Sequence, residues 1–377
     1  MYDESPFLTF WEVSRACELA CFHCRASAIP RRDPRELSTA EGFGLLDAIR
    51  DLGCRVVVLT GGDPMMRDDL ESLVEHGTRI GLSMALTPSA TPRVTHARLS
   101  KLRDAGLARL AISIDSADPA IHDGYRGVTG SHARSLDILA MARALGLGTQ
   151  INTTLTRRNV HELDAMAAEF AELAIGMWSV FFVVPTGRAS IDLMLGADEV
   201  EDVLVRLADL EETAPYAIKT TAAQHYRRVL RQRKQAQHHP SPHDGIGRAT
   251  RPVGDGQGIV FVSHRGDVSP SGFLPVVLGN VRETPIATLY RDHPTMRVLR
   301  DVEALGGKCG ACEFKHVCGG SRARAFAVTG DMSAADPACA YVPRGFLGDE
   351  QAASTTSAPR RSPCTDSSTS GRSPNAS

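Results

Sequence analysis

Short apolar runs rich in Val, Ile and Leu alternate with segments of helical periodicity from the start of the chain to about residue 190. That alternation predicts an α/β protein made of βα units around a parallel sheet. Strands are expected over 7–13, 55–59, 82–87, 109–114, 149–155 and 178–184. The helical pattern over 38–52 opens on Ser38 followed by Glu41, the residues of a capping box. Six units are fewer than the eight of a closed barrel. Two further helix-like stretches, 197–212 and 221–235, lead to a polar loop over 238–252 that reads as a domain boundary. Beyond it, 259–263 and 266–269 read as a hairpin turning at Arg265 and Gly266. Residues 352–377 are dominated by Ser, Thr, Pro and Arg and are expected to be disordered.

Composition narrows the class of protein. With 377 residues, 42% of them apolar, the chain can bury a large core, either as two domains or as one with an appendage. Its apolar runs are too short to span a membrane, and the first ten residues lack the basic and apolar regions of a secretory signal. A cytoplasmic protein without a membrane partner is expected. A net charge of -2 gives no sign of nucleic acid, and the basic run 227–234 reads as a solvated helix face. Seven of the nine cysteines fall into two groups with metal-like spacings, which argues against a disulfide framework and for a reducing compartment. Cys54, beside an apolar strand, reads as a packing residue, and Cys364 in the tail as incidental.

The first group is Cys17, Cys21 and Cys24, spaced C-x3-C-x2-C in one loop after the first strand. A [4Fe-4S] cube takes four ligands, so three thiolates leave one iron open to something that is not protein. A zinc knuckle is the alternative, although His23 stands too close to Cys24 to serve comfortably as a fourth ligand. The loop lies at the carboxyl end of its strand, the active face of barrel enzymes.

After the second strand comes Thr60-Gly61-Gly62-Asp63-Pro64, where paired glycines allow the backbone to approach a ligand closely; the plain alternative is a turn with Asp63 capping the next helix. On the cysteine loop and this turn the chain resembles the radical S-adenosylmethionine (SAM) enzymes, in which SAM chelates the fourth iron. The resemblance implies a partial (β/α)6 TIM-like barrel, open on one side, over residues 1–195. It implies Cys17, Cys21 and Cys24 as cluster ligands and His23 as a neighbour of the adenine. It makes Gly61, Gly62, Asp63 and Pro64 the counterpart of a G-G-E-P motif that receives the SAM amino group, with Asp63 one methylene shorter than the usual Glu. Ser113 and Asp115, with Arg126 in R-G, resemble elements that face the methionine carboxylate and ribose. Arg126 could equally be solvated. Asn152 would bond the ribose if it points inward and would be a spectator if it points out, and Val184 opens a V-P-T-G-R stretch near the adenine.

The second group, Cys309, Cys312, Cys318 and Cys339, has four thiolates, enough to close a site, and four cysteines also satisfy structural zinc. Its spacing and the neighbouring G-G-S-R-A-R-A resemble the SPASM domain appended to radical SAM maturases. Residues 253–347 would then be a small SPASM- or twitch-like iron-sulfur domain, after a helical connector and loop over 196–252 and before a tail over 348–377. A full SPASM domain carries two auxiliary clusters, but Arg322 and Ser269-Pro270-Ser271 stand where further cysteines would be. A single auxiliary [4Fe-4S] cluster is therefore expected, with about eight irons per chain.

The resemblance implies that SAM is cleaved reductively to a 5′-deoxyadenosyl radical that takes a hydrogen atom from a substrate. A reductant such as flavodoxin or ferredoxin would supply the electron. The segment 270–275, P-S-G-F-L-P, is similar to a branch near the haem-pathway proteins, so the expected substrate is a tetrapyrrole or a peptide. Only a few residues precede the first strand, which disfavours a built-in reader of a peptide leader. The rival from another class is a non-catalytic iron-sulfur or zinc protein that senses redox state; it leaves the glycine pair, Arg126 and Asn152 without a shared purpose.

Overall fold

The structure, a computed structural model, describes residues 2–237 and 253–346. The loop at 238–252, the tail and Cys364 lie outside the described residues. Ten strands form one sheet: β1 (Leu8–Ser14), β2 (Val56–Gly61), β3 (Ser83–Leu86), β4 (Arg109–Ser113), β5 (Gly148–Leu155), β6 (Met177–Phe182), β7 (Ala217–Thr221), β8 (Ile259–Val262), β9 (Asp267–Ser269) and β10 (Gly279–Asn280). Their order is β10-β9-β8-β1-β2-β3-β4-β5-β6-β7. The helices are α1 (Thr39–Asp51), α2 (Leu70–Arg79), α3 (His96–Asp104), α4 (Pro119–Arg126), α5 (Ser131–Ala144), α6 (Leu163–Glu172), α7 (Ala197–Thr213), α8 (His225–Gln237), α9 (Ile286–Arg291), α10 (Pro294–Arg300), α11 (Gly307–Gly310) and α12 (Arg322–Thr329).

β1 to β7 are parallel neighbours in chain order, and β7 and β10 are the two edges, so the barrel is open. The six expected strands form, with β7 in addition. Met177↔Ala217 through Phe181↔Thr221 pair across β6 and β7, whereas the sequence pattern predicts only helix and connector there. A-I-K-T-T has no apolar run because several of its residues face the interior; helix α8 starts at His225, four residues after the expected 221. The hairpin β8–β9 forms as expected. It also joins the barrel: Leu8↔Ile259 through Trp11↔Val262 make β8 a second parallel neighbour of β1.

Alternation along the strands separates a core from a cavity. On β5, Ile151, Thr153 and Leu155 are buried against the helices, while Asn152 and Thr154 face the barrel interior. Trp178 packs edge-on to Phe170 and donates its indole N–H to Thr153 Oγ1 at 2.9 Å. α1 begins with the Ser38–Glu41 capping box and lies close on the sheet at Gly42. A Cβ there would stand 2.8 Å from the Trp11 ring and 2.8 Å from Leu73. Gly42→Ala would cost roughly 1–3 kcal/mol by overpacking.

Candidate active site

The carboxyl ends of the parallel strands surround a cavity of about 440 Å³. Cys17, Cys21 and Cys24 line one end of it, on the loop that leaves β1. Cys17 Sγ lies 3.3 Å from Ser89 Oγ and accepts from Leu19 N at 3.3 Å. Burial pushes the Cys17 thiol up to about 11 and raises Cys21 as well. Both hold their protons until a metal replaces them.

Two turns clamp this loop. Gly62 N donates to Ser14 O at 2.9 Å and Asp63 N to Ala16 O at 2.7 Å. A Cβ on Gly61 would stand 2.2 Å from Ser14 O, and one on Gly62 2.5 Å from Arg15 O. The glycine pair lines the cavity and also seats the β2 turn on the cysteine loop. From the other side, Arg188 N donates to Cys24 O at 2.9 Å, and Gly187, at φ 64°, lies where a Cβ would meet Arg25 O at 2.2 Å. The V-P-T-G-R stretch thus holds the loop, and Val184 and Thr186 line the cavity.

Asp63, Pro64 and Asp115 are not in the cavity wall. Asp63 is fully buried and accepts from Met65 N at 3.0 Å, Ser89 N at 3.3 Å and Thr91 Oγ1 at 2.9 Å. It caps the short 3-10 turn that starts at Pro64. Burial raises its carboxyl despite these donors. Asp115, also fully buried, accepts from Thr154 N at 2.9 Å and pairs with Arg126 Nη2 at 2.5 Å. Burial opposes its charge, but the Arg126 and His23 side chains outweigh it and lower the carboxyl. Arg126 also reaches Cys21 Sγ at 3.9 Å, so it is a buried link from carboxylate to thiol and not a solvated side chain.

His23 packs on Tyr125 at 5.3 Å, and burial lowers it to about 4, so it is neutral near pH 7. Ser113 and Asn152 are register partners on β4 and β5, and both line the cavity. Asn152 therefore points inward. Sequence reasoning overlooked Glu12, on β1. Burial pushes its carboxyl up, but a 2.8 Å hydrogen bond with His264 and the charges of Arg25 and Arg15 bring it down to about 2. Its signal was a lone acid inside an apolar strand.

The donor set fits a cluster left one ligand short. Three thiols share the cavity wall, and beside them the buried His23 Nδ1 and Arg126 Nε have no partner among the described residues.

The second thiol group lies outside this cavity. Cys309 Sγ accepts from Asp336 N at 3.4 Å and meets Arg322 Nη2 at 3.6 Å. Cys312 and Cys318 each accept a backbone N–H at 3.4 Å, from Phe314 and Gly320. Lys308 Nζ donates to the Cys339 carbonyl. Arg322, at the place of an expected further cysteine, thus offers a thiol a cation and no ligand; it also donates to Met332 O and Ala334 O. Among the described residues, no three His, Cys, Asp or Glu side chains close around one point as the ligands of a single ion do.

Asp336 is the anchor here. It takes both arms of Arg324 at 2.8 Å and Ser321 N at 2.7 Å, and His225 Nε2 lies 3.1 Å away. Burial opposes its charge, yet Arg324 and His225 hold it well below the usual carboxylate range. Arg324 also donates to Ala222 O at 2.7 Å, tying this segment to the turn between β7 and α8.

Comparison with known proteins accords with this arrangement. The model of the radical SAM superfamily matches residues 11–170. An AdoMet-dependent heme synthase of Nitratidesulfovibrio vulgaris is 40% identical over 348 residues, 91% of this chain and 95% of that protein. A PqqA peptide cyclase of Rhodopseudomonas palustris is 30% identical over 355 residues, covering 90% of this chain and 88% of that protein. Streptococcus suis SuiB, solved bound to S-adenosylmethionine, shares the fold with a TM-score of 0.70 at 16% identity, over 90% of this chain and 78% of that one. A non-catalytic sensor is set aside by these enzymes, and no helix among the described residues is long and apolar enough to cross a membrane. The chain belongs to the radical SAM superfamily, enzymes that use a [4Fe-4S] cluster and SAM in cofactor biosynthesis or peptide maturation.

Proposed function

We propose that this chain acts on a carboxylate-bearing tetrapyrrole in the making of haem. The observation that carries the reading is the 40% identity to an AdoMet-dependent heme synthase, sustained across 91% of the chain. The cavity supports it. Its wall includes six phenylalanines, among them Phe181 and Phe273 with ring centroids 6.2 Å apart, which suits a flat apolar macrocycle. Five cations, Arg25, Arg126, Arg188, Lys219 and Arg227, share that wall with one acid, Asp255, which suits carboxylate side chains.

In this reading Cys17, Cys21 and Cys24 hold the cluster that binds SAM, and Cys309, Cys312, Cys318 and Cys339 hold one auxiliary [4Fe-4S] cluster. Gly61, Gly62, Ser113, Asn152, Val184 and His23 border SAM directly, while Asp63, Pro64 and Asp115 support that border from behind. When bound, the cluster and SAM supply a 5′-deoxyadenosyl radical that takes a hydrogen atom from the substrate. Arg126 keeps positive charge beside Cys21. The phenylalanines exclude water that would quench a radical. Residues 253–347 form the auxiliary domain, and flavodoxin or ferredoxin serves as reductant.

The test is anaerobic reconstitution with iron and sulfide, then dithionite, SAM and iron coproporphyrin III, with chromatography for 5′-deoxyadenosine and haem. Both products from the intact protein and neither from Cys24→Ala are expected. The 30% identity to a peptide cyclase supports a second reading, a peptide substrate. That reading gains if 5′-deoxyadenosine forms but no tetrapyrrole binds or changes.

A further inference from the structure

Two of the cations in the cavity wall have no carboxylate of their own. Arg25 is paired with Glu12 at 3.0 Å and Arg126 with Asp115 at 2.5 Å. Lys219 on β7 has no hydrogen bond or ion pair among the described residues, although burial lowers its ammonium to about 8. Arg227, in the first turn of α8, donates Nη2 to Val253 O at 3.2 Å, and its Nη1 is buried without a partner. The acid in the same wall, Asp255, is occupied by Ala323 N at 2.9 Å.

A buried cation without a counter-ion costs stability, and two near enough to depress each other cost more. The arrangement makes sense when a ligand supplies the missing charge. β7 and α8 are joined by a three-residue turn, Ala222 to Gln224, which Arg324 and Asp336 fix from behind. The pair is therefore held on a rigid support at the wall opposite β1 and its cysteine loop. We infer that Lys219 and Arg227 together receive one carboxylate of the substrate and so orient it across the cavity from the SAM-binding thiols. This rests on the tetrapyrrole reading above and names two of its specificity residues.

The test is absorbance titration of the reconstituted enzyme with iron coproporphyrin III and with its tetramethyl ester, alongside thermal melting without ligand. The wild type should bind the acid more tightly than the ester. Lys219→Met and Arg227→Met should each weaken the acid by roughly ten- to a hundredfold and leave the ester unchanged. Lys219→Arg should bind the acid nearly as well as wild type. Lys219→Met should also melt at a higher temperature, because an uncompensated buried charge is gone, a gain that a merely structural lysine would not give. Wild-type affinity for the acid in both Met variants would overturn the inference while leaving the tetrapyrrole reading intact. Binding of neither porphyrin by the wild type would overturn that reading, and this inference with it.

Discussion

The two thiol groups are built on one plan and differ in what faces them. Each has an arginine beside a thiol, Arg126 at Cys21 and Arg322 at Cys309, and each has a fully buried aspartate close by, Asp115 or Asp336. The first presents three thiols to a cavity; the second has four and lies outside it. A closed ligand set is suited to structure or electron relay and an open one to binding a reactant, so ligand number and exposure separate two chemistries on otherwise similar supports.

That contrast can be broken most sharply at the ligands. Cys24→Ala is expected to abolish 5′-deoxyadenosine formation, whereas Cys312→Ala should abolish haem formation and keep SAM cleavage without substrate. Equal loss of SAM cleavage in both would erase the distinction. Metal analysis sharpens it: about eight irons per chain are expected, and near twelve would demand a third cluster. Iron near four with one zinc would make the second site a structural zinc site.

Smaller effects test the supports. Asp336→Asn leaves Arg324 buried without its partner and should cost about 3 kcal/mol or more in unfolding free energy, read by denaturant melts. Glu12 plays a comparable part beneath the cysteine loop. Its folded carboxyl, at about 2 against an ordinary 4.5, gives stability that is present above pH 4.5 and lost as pH falls toward 2. Glu12→Gln should therefore be destabilised by about 3 kcal/mol at neutral pH, with the gap to wild type closing across that window. Unequal closure at pH 7 and pH 3 is expected; a constant gap would mean the carboxylate charge is not what matters. Smallest of all, Arg322→Gln removes a cation from Cys309 and should make the auxiliary cluster harder to reduce, leaving the potential of the first cluster in place.

Much of this was legible because parallel strands buried on both faces read as apolar runs, and β1 to β6 do. β7 was not legible because Lys219, Thr220 and Thr221 serve the cavity and break such a run. The cysteine groups were visible by spacing alone. The inward position of Asn152 follows from its register with Ser113, a pairing that no local pattern states. Asp63 and Asp115 could be picked out as acids after strands, but whether a carboxylate meets a ligand or braces its neighbours depends on Thr91, Arg126 and Thr154, which come from other parts of the chain. Lys219 and Arg227 carried no motif; what singles them out is the lack of a partner, visible only once the elements are in place.

The pairing of β1 with β8 ties the first strand to residues some 250 positions later, Leu8 to Ile259. As the chain leaves the ribosome, the strand that launches the cysteine loop has a bare edge until β8 arrives. Unpaired edges recruit other strands, and such distant contacts form slowly. The loop therefore reaches its final seat late in synthesis, and a chain cut before β8 is expected to aggregate before it can be loaded with iron.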